Sequence, residues 1–154
     1  MVSNTALVSG AGLVVPASTQ WVVFTCAGQR FGVPLGDVRE ILTPRPFTRL
    51  PGTGPEVCGL VGIRGRVVTV LDLGVVLGLR AAGSLPDHRL LLLEPGAGRI
   101  AAAVEEVAAI SAADLEPAPG AEPGRANVAG TGRAEDGTFT ALDSAALTRH
   151  LLQR

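Results

Sequence analysis

The sequence has no tyrosine, one tryptophan and only 3% aromatic residues, so its core has to be assembled from Val, Leu, Ile and Ala. Lysine is absent too, and all 13 basic residues are arginine. They face 14 acidic residues spread along the chain, and no basic stripe forms. That balance excludes a nucleic-acid surface built on phosphate neutralisation. It equally excludes a polybasic membrane patch. No apolar run reaches the ~18–20 residues of a transmembrane helix, and no insertion into a membrane is expected. The apolar stretch from Ala6 to Ala17 is broken by Gly10, Gly12 and Pro16 and has no basic residue before it, unlike a signal peptide. Residues 1–18 are read as a loosely ordered tail, and the chain as cytoplasmic. The two cysteines, Cys26 and Cys58, sit in apolar runs and read as buried free thiols.

Catalytic constellations are missing as well. Neither cysteine stands at metal-ligand spacing to the other or to His88 or His150. No CxxC, HExxH, GxSxG or P-loop is present. The adjacent carboxylates Glu105-Glu106 and Glu135-Asp136 fall in expected turns, where solvated charge is the default. The glycines of Gly59-Leu60-Val61-Gly62-Ile63-Arg64-Gly65 lead into more strand, not into a helix as a phosphate cradle requires. No enzyme, metal or cofactor is expected, and an enzyme on a small β-barrel is the disfavoured alternative.

With 154 residues, 47% hydrophobic and a mean hydropathy of +0.37, the chain has ample material for a folded domain. It also repeats itself. At an offset of 69 positions Trp21-Val22-Val23-Phe24 falls on Leu90-Leu91-Leu92-Leu93, and Phe31, Val33 and Leu35 fall on Ile100, Ala102 and Val104. Asp37-Val38 and Ile41 likewise fall on Glu106-Val107 and Ile110. The offset then grows to 71, where Val70-Leu71-Asp72 meets Ala141-Leu142-Asp143. Each copy reads as strand, turn, strand, acidic turn, strand, hairpin, strand and short helix. The hairpin cues are Gly28-Gln29 and Arg64-Gly65 in the first copy. In the second they are Pro95-Gly96-Ala97-Gly98 and Asp136-Gly137. Asp72 and Asp143 are placed to cap helices at Leu73–Leu79 and Ser144–Leu152. The Pro- and Gly-rich stretch 116–125 reads as a surface loop, and 83–87 as the connection between copies. The run Val57, Leu60, Val61, Ile63 suggests a strand covered on both faces.

What remains is a binding module, and three features exceed a structural role: Arg64 at a hairpin tip, Arg39-Glu40 in the acidic turn, and the apolar run just named. On residues alone, Arg64 and Glu40 also read as ordinary solvated charges. The segments that separate these readings are Phe31-Gly32-Val33-Pro34-Leu35-Gly36-Asp37-Val38-Arg39-Glu40-Ile41, then Leu50-Pro51-Gly52, then Cys58 through Leu73 with its G-x-x-x-x-R-G-x-x-x-x-x-x-D-L string. Together with Gly98–Ile110 they resemble the CheW-like domains from about Gln20 onward. Departures are Gly62-Ile63 before Arg64, Thr69 in the following strand and Ala103 in the second acidic turn.

The resemblance implies an all-β fold of two packed SH3-like five-stranded barrels over 19–154. The approximate division is 19–85 and 86–154, with exchange of strands left open. It implies a non-enzymatic adaptor that binds the cytoplasmic tip of methyl-accepting chemotaxis receptors and the regulatory domain of a CheA-type histidine kinase. Such a chain is expected to be monomeric alone and array-forming with its partners. An adaptor of another chemosensory system, such as pilus motility, is the alternative. The positions carried over as receptor-facing are Val38, Glu40, Ile41, Gly59 and Arg64. Leu50, Val57 and Leu60 are assigned to the kinase.

Overall fold

Two tight turns set the register of the fold. Ala27 and Gly28 have φ of 51° and 78°, and Arg64 and Gly65 have φ of 50° and 79°. Positive φ at both central residues is the type I′ hairpin, whose twist matches that of its strands. The first turn therefore lies one residue earlier than Gly28-Gln29, with Cys26 paired to Gln29. In the second copy, Ala134 pairs with Gly137. The loop there is Glu135-Asp136, and Gly137, with φ of 136°, opens the next strand.

The computed structural model describes residues 6–8, 14–16, 19–83, 85–96, 98–117 and 127–152. A two-stranded ribbon pairs β1 (Ala6–Val8) with β2 (Val14–Pro16). The rest of the expected tail lies outside the described residues, as does most of 116–125. In chain order follow β3 (Thr19–Cys26), β4 (Gln29–Pro34), a 3-10 turn at Leu35–Asp37, β5 (Val38–Leu42), β6 (Val57–Ile63), β7 (Arg66–Asp72) and α1 (Leu73–Val76). The second copy supplies β8 (Arg89–Leu93), β9 (Ile100–Val104), β10 (Glu106–Pro117), β11 (Val128–Ala134), β12 (Gly137–Leu142) and α2 (Ser144–Leu152). Helix α1 is shorter than the expected Leu73–Leu79. Gly78, at φ of 71°, ends it.

The strands form a closed barrel, β10-β11-β12-β4-β3, and a five-stranded sheet in the order β5-β8-β9-β7-β6. A cut at residue 85 does not separate them. The first two strands of each copy join the last three of the other, so the copies are reciprocally exchanged. The parallel pairs β12–β4 and β7–β9 are the joints of that exchange. The repeat extends to irregularities: bulges interrupt β5 at Arg39 and β10 at Ala108, and β6 at Cys58 and β11 at Ala129.

Exchange explains the burial. Trp21 and Val23 face the inside of the closed barrel with Phe139 and Ala141. Val22 and Phe24 face the other way, into a core shared with Leu71, Leu91, Leu93, Ile100 and Leu147. A third cluster, including Val61, Val68, Leu90 and Leu92, fills the second sheet. Strand β9 is buried at all five positions. By contrast β6, expected to be covered on both faces, alternates, with Gly59, Val61 and Ile63 buried on one face and Gly62 exposed on the other.

Gly59 and Gly130 stand at matching bulges with φ of 155° and 156°. A Cβ on Gly59 would overlap the Thr48 carbonyl, and one on Gly130 that of Glu116. Gly130→Ala is therefore expected to cost about 1–3 kcal/mol in backbone strain alone. A fall in the urea midpoint without a change in slope checks this.

Candidate functional site

The two halves differ in how they close. In the first, β10 and β11 are zipped by five consecutive pairs, Ala113–Pro117 with Gly130–Ala134. The matching seam of the second half stays unzipped. Strand β5 ends at Leu42, and Pro44 and Pro46 follow, each without an N–H to donate. Only Thr48 returns to the edge of β6, exchanging two 2.8 Å hydrogen bonds with Leu60. The result is an open barrel.

A side-chain clasp spans this seam near its mouth. Arg64 donates from Nε to Glu40 Oε1 and from Nη2 to Glu40 Oε2, both at 2.8 Å. The type I′ turn presents Arg64 at the tip of the β6–β7 hairpin, and the bulge at Arg39 aims Glu40 from β5. The fork-to-fork geometry suits guanidinium and carboxylate. Because 76% of the Arg64 side chain remains exposed, solvent screening makes the pair a minor stabiliser. Its consequence is orientation: the Nε–Nη2 edge of the guanidinium is held by Glu40 while most of the side chain stays exposed.

The hydrogen bonds from Arg64 hold the Glu40 carboxyl below its ordinary value of 4.5. A depressed carboxylate contributes its stabilisation above the ordinary value and loses it as pH falls through the lower folded value. The clasp is thus expected to stay closed from neutral pH down to about 4.5 and to open only below it. Carbon-13 NMR of the Glu40 carboxyl would show a midpoint below 4.5 in the parent. In Arg64→Ala the midpoint should return toward the ordinary value.

Beside the clasp, Glu94 accepts from Arg99 Nη2 at 2.6 Å and pairs with Arg39 Nε at 3.1 Å. Arg99 chiefly holds the Glu94 carboxyl below its usual range. The parallel pairing of Thr69 with Ile100 brings Arg66 and Arg99 to the same end of the sheet. Sequence reasoning had not gathered Arg66, Glu94 and Arg99. Projecting the repeat onto a sheet would have placed them, but only with the strand exchange known.

The expected receptor-facing residues divide. Glu40, Arg64 and the 40%-exposed Ile41 stand along the open seam. Val38 is half-buried against the shared core. Gly59 is buried, and the chain's own Thr48 carbonyl comes close to it. Leu50 and Val57 line a second cavity of about 490 Å³ with Phe47 and Cys58. Leu60 forms the bridge with Thr48. Val57 opens the far end of β6, roughly 23 Å from Arg64 at about 3.3 Å per residue, and Leu60 lies mid-strand, roughly 13 Å away. Both cysteines are free, and burial pushes each thiol up to about 11. Among the described residues no cluster of His, Cys, Asp and Glu could hold a metal, and no helix is long and apolar enough to cross a membrane.

Residues 20–151 match the family profile of the CheW-like domain. The chain belongs to the CheW-like family. It is 28% identical over 103 residues to the chemotaxis protein CheW of Helicobacter pylori, covering 65% of this chain and 62% of that one. Protein FrzA of Myxococcus xanthus is 35% identical over 103 residues, covering 65% and 64%. Protein PilI of Pseudomonas aeruginosa is 34% identical over 71 residues, covering 46% and 40%. The match thus spans less than two thirds of the length of each of these three relatives. Among solved structures, the scaffolding protein TtCheW from Thermoanaerobacter tengcongensis superposes with a TM-score of 0.70 at 25% identity, covering 84% of this chain and 86% of that one. In this CheW-like fold the two SH3-like barrels expected from the sequence are the closed and the open one described above. The signature arginine and glycine form the hairpin tip, and the signature Asp72 caps α1 by accepting from Gly74 N at 3.1 Å.

Proposed function

We propose that this CheW-like chain is a scaffold without catalytic activity, which couples methyl-accepting chemotaxis receptors to a CheA-type histidine kinase in the cytoplasm. The observation that carries this reading is the Glu40–Arg64 clasp, an oriented guanidinium on an exposed rim at the family's signature position. Charges held in this way confer specificity on a contact more than raw affinity. The receptor hairpin is assigned to the face carrying Val38, Glu40, Ile41, Gly59 and Arg64. Glu40, Ile41 and Arg64 make direct contact, and Gly59 keeps the seam in shape. The kinase regulatory domain is assigned to the far end, where Leu50 and Val57 open an apolar cavity beside Leu60. Separation along β6 lets both partners bind together. The chain is monomeric alone and joins arrays with its partners.

Titration calorimetry with a CheA-type regulatory domain from the same organism tests this. Saturable one-to-one heat is expected, and Leu50→Asp should abolish it. Silence with every such kinase encoded there would overturn the adaptor reading while leaving the fold intact. FrzA and PilI are both matched at higher identity than the H. pylori CheW. That supports a second reading, an adaptor in a chemosensory system other than chemotaxis. The same titration against each kinase of the organism discriminates between them.

A further inference from the structure

The two barrels are equivalent by repeat but not in how they are filled. In the closed barrel Phe139 plugs the interior, its ring 5.5 Å from that of Trp21. Gly32 and Gly132 make room for it, since a Cβ on either would overlap the ring. The matching positions of the open barrel hold Val68 for Phe139, Leu90 for Trp21, Ala101 for Gly32 and Val61 for Gly132. The mouth of the open barrel holds a cavity of about 400 Å³ over a floor of Ile63, Leu92 and Val68, the counterpart of Phe139. That is near the lower end of the roughly 300–1,000 Å³ typical of ligand pockets, which also form in barrel mouths.

Arg39, Arg64, Arg66 and Arg99 rim this cavity. Three of them have no counterpart in the other barrel, where Ala108, Glu135 and Gly137 take the places of Arg39, Arg64 and Arg66. Against these four guanidiniums stand two carboxylates, Glu40 and Glu94, and both are already engaged at hydrogen-bonding distance. The mouth therefore keeps an excess of two positive charges on a chain whose formal net charge is −1. Arg66 is exposed, and its charge acts on Glu94, where Arg99 and Arg39 act more strongly.

A cationic rim over an apolar floor selects an acid carried on an apolar stem. A bare phosphate would gain nothing from Ile63, Val68 and Leu92. We propose that the mouth of the open barrel is a carboxylate site that receives a glutamate side chain from a helix of the bound receptor, with Arg66 as its principal anion partner. This rests on the adaptor reading, because the mouth opens beside the Glu40–Arg64 clasp on the face assigned to the receptor. The methylenes of the glutamate cover the floor, and its carboxylate meets Arg66, with Arg99 and Arg39 held nearby by Glu94.

The test uses the full chain and two stapled helical peptides that differ only in a central Glu or Gln flanked by leucines. Binding is followed by NMR of arginine Nε–H and Val, Leu and Ile methyl signals. The Glu peptide is expected to bind about tenfold more tightly than its Gln twin, the ratio set by about 1.4 kcal/mol. Its shifts should centre on Arg66, Arg99, Val68 and Leu92. Arg66→Gln should erase the difference between the twins without lowering the melting temperature. Equal affinities would overturn the proposal, as would shifts spread evenly to remote arginines such as Arg30 and Arg133. Hexanoate is the third probe: if it saturates the mouth while the twins bind alike, the site serves a free organic acid. The kinase titration stands apart from all of this. Its success beside equal twins sinks the carboxylate site alone, and its failure sinks the adaptor reading.

Discussion

Asp72→Ala is expected to cost the fold about 3–5 kcal/mol, the usual effect of removing one partner from a buried charge pair. Asp72 is 3% exposed. It accepts from Arg80 Nη2 at 2.6 Å and Nη1 at 2.8 Å, and from the backbone of Gly74 at 3.1 Å. Its own N–H reaches the Glu56 carbonyl at 2.8 Å, which ties the end of β7 to the loop before β6. Alanine would strand the Arg80 guanidinium in a partly buried site and remove the cap of α1, a loss of about 1 kcal/mol by itself. The Cβ position at Gly74 shows how tightly this arrangement is packed, since it is taken by Arg80. Urea denaturation would read the effect as a lower midpoint at unchanged slope. Asp72→Asn keeps the shape and the cap but not the charge, so it should fall between parent and alanine variant. A cost below about 1 kcal/mol for the alanine variant would remove Asp72 from the structural residues and return it to the candidates for partner binding.

The matching aspartate, Asp143, caps α2 through Ala146 N at 3.2 Å. That both aspartates would cap was legible, because a cap needs only local geometry and a residue type. The repeat was legible for a similar reason: apolar period and turn chemistry are written along the chain. Reciprocal exchange was not. A sequence specifies which strands are apolar, but the choice of neighbour depends on parallel joints such as Thr69 with Ile100, far apart in sequence. Burial followed the neighbours, so β9 became wholly buried and β6 an edge. The site was read in part. Arg64 and Glu40 stood out through the signature, and the structure joins them. Gly59 lacks the Cβ that would overlap the Thr48 carbonyl. Arg66, Arg99 and Glu94 carry no local signal at all, and only the strand order brings them to one mouth.

Arg64→Ala is expected to leave the fold untouched and to weaken receptor binding at least about tenfold, in the range of a central charged anchor. The side chain projects from a turn, contributes nothing to the core, and among the described residues is bonded only to Glu40. Its removal therefore has little to unfold, although the alanine inherits a φ of 50°. Arg64→Gly separates that strain from the loss of the guanidinium, because glycine adopts positive φ without cost. The two variants should melt close to the parent and bind the receptor equally poorly in co-sedimentation. Arg64→Lys supplies the third measurement. Lysine keeps the charge but cannot form the two-pronged bond to Glu40, so it restores binding only if charge alone matters. Failure of lysine to rescue, together with parent-like binding of the kinase domain by all three variants, would assign Arg64 to an oriented contact at the open seam. A large drop in melting temperature for the glycine variant would instead make Arg64 a structural clasp, and the receptor face would have to be sought elsewhere on the chain.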